Sequence, residues 1–168
     1  HTDMVWGLAI SADGKQAITG AHGDDFLCVW ELPTGKLIKK CPLDFKSVLG
    51  IAFTPDGKQA VLGTYGSGCV LWDLDKNERI RMIRPGQAGG GGTRKIALSK
   101  DGQSVLIAVP IDGDYPIQLR DMRTGNLLQE FKGHSHYVGG VHFLPDGKHF
   151  LSGAQDGTLR IWSLATGK

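Results

Sequence analysis

Short apolar runs alternate with polar turns along the whole chain, and the alternation has a long period. Asp-Gly pairs fall at Asp13-Gly14, Asp56-Gly57, Asp101-Gly102 and Asp146-Gly147, spaced by 43, 45 and 45 residues. Asp-Gly between apolar runs marks a tight hairpin, because the glycine takes the positive φ that the turn demands. Each pair is preceded by a short apolar run, LAIS (8–11), IAFT (51–54), IALS (96–99) and VHFL (141–144), and followed by a second, KQAITG, KQAVLG, QSVLIA and KHFLSG. A third run follows (FLCVWEL, CVLWDL, PIQLRDM, TLRIWSL), then a polar turn, with Thr-Gly in three repeats and Lys76-Asn77 in the second. A fourth run, KLIKKC, ERIRMI or NLLQEF, closes the first three repeats, and the fourth repeat stops at Lys168 without one.

Each repeat therefore predicts four short antiparallel strands. Such a small sheet is apolar on both faces and buries them only by stacking on its neighbours. A four-stranded unit recurring about every 45 residues predicts the blades of a β-propeller. The expected fold is all-β, a partial propeller over 1–168 of about four blades, the last lacking its outer strand. The blades are expected near 4–42, 47–84, 93–131 and 136–164. No segment has helical periodicity, so no helix is expected.

Composition agrees. The 25 glycines in 168 residues are about twice ordinary usage, as many tight turns require. With 40% hydrophobic residues there is enough apolar material for a core, which excludes general disorder. No apolar run is long enough to be a membrane-spanning helix. A net charge of +2 gives no electrostatic footprint for nucleic acid or anionic membrane. Cys28, Cys41 and Cys69 have neither metal-ligand spacing nor an even count, and read as small buried hydrophobes.

The residues resemble WD-repeat propellers. Residues 133–167 carry a Gly-His pair, a Pro-Asp-Gly turn, a Ser-Gly step, Asp156 and Trp162, with Ser163 where the family has Asp. The first repeat begins at His1, 12 residues before Asp13, as His134 stands 12 before Asp146, and continues to Thr19, Asp24 and Trp30-Glu31. The resemblance implies that loop His, second-strand Ser or Thr, turn Asp and Trp indole form a hydrogen-bonded chain. The expected sets are His1, Thr19, Asp24, Trp30 and His134, Ser152, Asp156, Trp162. A Ser-His-Asp combination also suggests a hydrolase, but no nucleophile elbow of the GxSxG kind accompanies it. The second repeat holds Asp44, Leu62 and Gly66 at these positions and keeps only Trp72-Asp73. The third holds Gly89, Ile107, Asp114 and Arg120-Asp121. Leu62 and Ile107 exchange hydroxyls for apolar packing, and these two blades are expected to be held by packing alone.

Other signals carry little chemistry. The run from Pro85 to Gly92 lacks the Lys-Ser/Thr of a phosphate-binding loop and reads as a connection between blades. Arg94 and Lys95, at inner-strand positions, would attract an anion or an acidic side chain if they faced the central channel. His134-x-His136 has no third metal ligand nearby, and Asp112 with Asp114 lacks the rest of a calcium loop. No catalytic residue, metal site or cofactor is assigned.

Function is therefore expected on loops held by a rigid frame. The resemblance implies a partner face built by the loops leading into each first strand and those joining second to third strands. Its candidate residues are Met4, His22, Lys46, Tyr65, Arg94, His136, Tyr137 and Gln155. The expected role is a non-catalytic scaffold for a protein or peptide. The alternative is a regulatory or targeting propeller attached to an enzyme whose catalytic domain lies outside this chain. Nucleic acid and membrane are not expected as partners. Four blades would leave apolar faces open on the first and last, so a longer chain, or else a homodimer completing an eight-bladed ring, is expected.

Overall fold

A computed structural model of the chain describes residues 1–65, 68–83, 95–111 and 113–168. Among these there is no helix. The first sheet contains β1 (Val5–Ile10), β2 (Gln16–Ala21), β3 (Phe26–Glu31) and β4 (Leu37–Pro42). The second contains β5 (Val48–Phe53), β6 (Gln59–Thr64), β7 (Gly68–Asp73) and β8 (Glu78–Ile83). The third contains β9 (Lys95–Leu98), β10 (Ser104–Ala108), β11 (Ile117–Asp121) and β12 (Leu127–Phe131), and the fourth β13 (Val138–Phe143), β14 (His149–Ala154) and β15 (Leu159–Ser163). Each is an antiparallel meander paired in chain order. The four sheets are the blades of a β-propeller, with β1, β5, β9 and β13 innermost around a hollow of about 1090 Å³.

The hairpin turns explain why the chain folds back where it does. Gly14, Gly57, Gly102 and Gly147 have φ of +68°, +69°, +72° and +65°. Ahead of the first three, Ser11, Thr54 and Ser99 donate to Asp13, Asp56 and Asp101 at 2.6 Å each. The same aspartates accept backbone N–H groups two residues on. Those hydrogen bonds, led by the hydroxyl donor, hold all three carboxyls below the usual range.

The core lies between blades rather than within them. Ile18, Leu27, Val29 and Cys41 of blade 1 pack on Val48, Leu62, Val70 and Trp72 of blade 2. Val61, Cys69 and Ile83 of blade 2 meet Val105, Ile107 and Met122 of blade 3. Leu106, Ile117 and Phe131 of blade 3 meet Phe150 and Trp162 of blade 4. All three cysteines are free and buried, and burial raises each thiol above its ordinary pKa.

Inner strands of blades 1, 2 and 4 share a β-bulge, between Val5 and Gly7, Val48 and Gly50, and Val138 and Gly140. The extra residue puts side chains three apart on the same face, against strict alternation. Val48 and Ile51 therefore both point at blade 1. A Cβ on Gly7 would stand 2.7 Å from Ile51, and one on Gly20 2.7 Å from Val48. Only glycine allows that approach.

Candidate functional site

In blade 4 the loop before β13, strand β14, the turn after it and strand β15 bring four polar side chains together. The Trp162 indole N–H donates to Ser152 Oγ at 2.7 Å, Ser152 Oγ lies 2.7 Å from His134 Nε2, and His134 Nδ1 lies 2.7 Å from Asp156. The indole can only donate and the carboxylate only accept. The serine proton therefore goes to Nε2, and a neutral imidazole carries its proton on Nδ1. Asp156 also accepts from the Thr158 hydroxyl at 2.6 Å and the Ser135 N–H at 3.1 Å. The Thr158 hydroxyl first, with His134, holds its carboxyl well below the usual range.

Blade 1 repeats the arrangement. Trp30 donates to Thr19 at 2.8 Å, and His1 lies 2.7 Å from both Thr19 and Asp24. Thr2 also donates to Asp24 through its hydroxyl. In both sets the hydroxyl faces an indole across the sheet and the imidazole's second nitrogen is held by a carboxylate. Nothing is left to receive a substrate proton, so the geometry suits a tie between loop and strand.

Blade 3 departs from the expectation of packing alone, whereas blade 2 is packed around an apolar cluster and keeps a stranded donor. In blade 2, Leu62 occupies the hydroxyl position, and the buried Trp72 indole N–H has no partner. Phe45 meets Trp72 edge-on, centroids 6.0 Å apart, and Asp44 pairs with Arg79 instead. In blade 3 a different polar chain replaces the set. Arg120, at the Trp position, donates to Gln118 and to the Gly125 carbonyl at 2.9 Å each, and Gln118 donates to Glu130 at 3.0 Å. Removing a tryptophan together with its hydroxyl leaves room for such a substitute; removing the hydroxyl alone strands a donor. Gly66, Gly89 and Asp112 lie outside the described residues.

The expected partner-face residues sit on loops at one end of the inner strands. Met4, Tyr65, Tyr137, Lys46, His136 and Gln155 are exposed, and His22 is half-buried. Rings join neighbouring blades there. His22 of the β2–β3 loop meets Tyr65 of the β6–β7 loop edge-on, centroids 6.2 Å apart. Tyr115 of the β10–β11 loop stacks on His136 at 5.5 Å and tilts against Tyr137 at 4.9 Å. Lys46 belongs to neither aromatic group, and Arg94 lies outside the described residues, as do Pro85–Gly92.

Beside the second group is a pocket of about 280 Å³ between blades 3 and 4. Val109, Pro110 and Val138 line it with the rings of Trp6, Tyr115 and Tyr137, and Lys95 and Gln155 supply polar ends. Trp6 and Tyr115 were not expected from the sequence. The signal for Tyr115 was its loop, which joins second to third strand as those of His22, Tyr65 and Gln155 do. Among the described residues no group of three or more His, Cys, Asp or Glu side chains could hold a metal.

A family model described as WD domain, G-beta repeat, matches residues 1–31 and 125–163. Those stretches carry the two complete hydrogen-bonded sets. The chain is 30% identical over 100 residues to a guanine nucleotide-binding protein subunit beta of Oryza sativa subsp. japonica, covering 59% of this chain and 26% of that protein. It is 32% identical over 101 residues to the subunit of that name from Zea mays, with the same shares. A serine-threonine kinase receptor-associated protein of Gallus gallus is 42% identical over 55 residues, 33% of this chain and 16% of that protein. The chain's repeats, its four-stranded blades and its Trp-Ser-His-Asp ties are those of a β-propeller similar to the WD-repeat proteins that these stretches match. The chain spans about a quarter of the G-protein subunits it matches and less of the receptor-associated protein.

Proposed function

We propose that the chain is a non-catalytic scaffold that binds a protein or peptide through the loops at the Tyr115–His136–Tyr137 end of the propeller. The observation that carries this is the aromatic cluster and the 280 Å³ pocket beside it. Rings on a rigid frame give contact area at low entropic cost, and a pocket among them holds an anchoring side chain. A kinase receptor appears in the name of one relative and a nucleotide-binding assembly in the names of others, which agrees with a role in protein assemblies.

The test is selection of displayed peptides on the immobilised chain, followed by binding to variants. Tyr115→Ala and Gln155→Ala are expected to weaken the selected peptides by about tenfold or more, as loss of interface anchors does. Lys58→Ala and Lys100→Ala, on hairpin turns at the opposite end, are expected to leave them unchanged. Peptides whose binding follows the lysines and ignores Tyr115 and Gln155 would remove this face from the proposal.

A further inference from the structure

One inner-strand position sets blade 3 apart from the other blades. Seven residues before each hairpin-turn glycine stand Gly7, Gly50, Lys95 and Gly140. Their partners on the second strand are Gly20, Gly63, Ala108 and Gly153. Three blades therefore present a glycine pair, and blade 3 presents lysine with alanine. The blade 1–blade 2 interface shows what the glycines allow. Val48 is wholly buried against Gly20, and a Cβ on Gly20 would stand 2.7 Å from it. Blade 3 has that Cβ, on Ala108. Val138, the counterpart of Val48 two residues before Gly140, cannot seat as closely and is only half-buried. The space left between the two blades is the 280 Å³ pocket, with Ala108 and Val138 both on its wall.

Lys95 is turned into that space. Side chains alternate along β9, where Ile96 and Leu98 pack toward blade 2 and Ala97 toward blade 4. Lys95 shares the face of Ala97 and is half-buried. It has no ion-pair partner among the described residues. Gln155, from the β14–β15 loop of blade 4, also lines the pocket. Most of the remaining wall is apolar, with Pro110 and Val138 beside the rings of Tyr115 and Tyr137. One cation and one amide N–H donor thus stand at a cavity otherwise suited to hydrocarbon. A half-buried ammonium gains more from an anion than one in open water, because the surrounding dielectric is lower. These residues all belong to blades 3 and 4, which are consecutive in the chain.

We infer that the pocket takes the C-terminal residue of a partner chain, its free carboxylate on Lys95 and Gln155 and its apolar side chain among the rings. This rests on the peptide-binding role proposed for this face and names the end of the peptide that the face reads. Charge complementarity calls for a carboxylate, and the walls call for hydrocarbon. An internal glutamate carries its carboxylate on two methylenes and leaves most of the apolar wall unfilled. A chain ending in leucine or phenylalanine supplies both groups from a single residue.

The test uses short synthetic peptides attached by their N-termini, ending in leucine, phenylalanine, glutamate or lysine, each made as free acid and as C-terminal amide. A further amidated set carries an internal glutamate. Binding to the full chain is compared with binding to Lys95→Met and Tyr115→Ala, whose circular dichroism spectra and urea midpoints report folding. Free acids ending in leucine or phenylalanine are expected to bind best, and amidation is expected to weaken them by about tenfold, as loss of a charge-assisted hydrogen bond does. In Lys95→Met the acid and amide forms are expected to bind alike, and Lys95→Arg is expected to restore the difference. Acid and amide are compared on the same variant, so a loss of stability does not mimic the result. Binding that needs Tyr115 but ignores amidation would overturn the inference and leave the proposed binding face standing. The same conclusion follows if the acid preference survives in Lys95→Met, or if the internal glutamate binds as well as a free chain end. Binding that ignores Tyr115, or no binding, would overturn both.

Discussion

Blade 4 and blade 2 solve the same packing problem with different chemistry. Both place a tryptophan on the face turned toward the preceding blade. Trp162 donates to Ser152, which is held by His134 and Asp156. Trp72 has its indole N–H buried and unpartnered, beside Leu62 in place of the serine. A buried donor without an acceptor costs about 1–3 kcal/mol. Blade 2 offsets this with apolar area, since Leu62, Val70 and Val48 are wholly buried around it. The polar tie is therefore one route to a fixed blade and not a requirement. What it adds is direction: it joins a loop to a strand, whereas packing joins two strands.

That contrast can be broken at its strongest point first. Leu62→Ala is expected to destabilise the chain by about 2–5 kcal/mol, the usual cost of a cavity at a fully buried leucine. Ser152→Ala, at the equivalent position, is expected to cost about 1–3 kcal/mol by stranding the Trp162 donor and His134 Nε2. Urea unfolding of both variants checks the order. If Leu62→Ala were the milder change, apolar compensation in blade 2 would be wrong.

Replacing the indoles sharpens the comparison. Trp162→Phe leaves Ser152 with one partner fewer, while Trp72→Phe deletes a donor that had no partner. The two changes lose similar volume, so the difference between them isolates the hydrogen bond. Trp162→Phe is expected to cost about 1 kcal/mol more than Trp72→Phe. Equal losses would show that the tie contributes nothing net.

The smallest effect is on pH dependence. Asp156 is held below its ordinary range mainly by the Thr158 hydroxyl and then by His134. A carboxyl depressed in the folded state stabilises fully above its unfolded pKa of about 4, and that contribution is lost as pH falls toward the folded value. Asp156→Asn is expected to flatten the acid limb of stability below about pH 4 and leave its shape unchanged above. An unchanged limb would assign acid sensitivity to other depressed carboxyls such as Asp146, which His149 holds at about 2.

The strands and blades were legible because their signals are local. An Asp-Gly turn needs only its neighbours, and a 45-residue period needs only counting. The His-Ser-Asp-Trp ties were legible only through the resemblance to WD repeats, which implies that these four residues bond to one another. Other features depended on which face a side chain takes. The bulge at Trp6 puts Val5 and Leu8 on one face, which a two-residue alternation cannot show. The Arg120–Gln118–Glu130 chain crosses from β11 to β12 and becomes visible only once Gln118 and Glu130 are known to pair. Tyr115 approaches His136 and Tyr137 across a blade boundary that no sequence interval marks.

The self-contained hairpin turns also bear on the order of events in folding. Ser11 with Asp13, Thr54 with Asp56 and Ser99 with Asp101 close their turns using side chains two residues apart. A hairpin of this kind forms in about 1–10 μs, long before distant segments find one another. Interfaces such as Val48 on Gly20 join residues of different blades and must await loop closure. Hairpins therefore come first and the docking of blade on blade sets the rate. A change at Gly57 would slow folding, whereas one at Gly20 would act mainly by hastening the separation of blades already made.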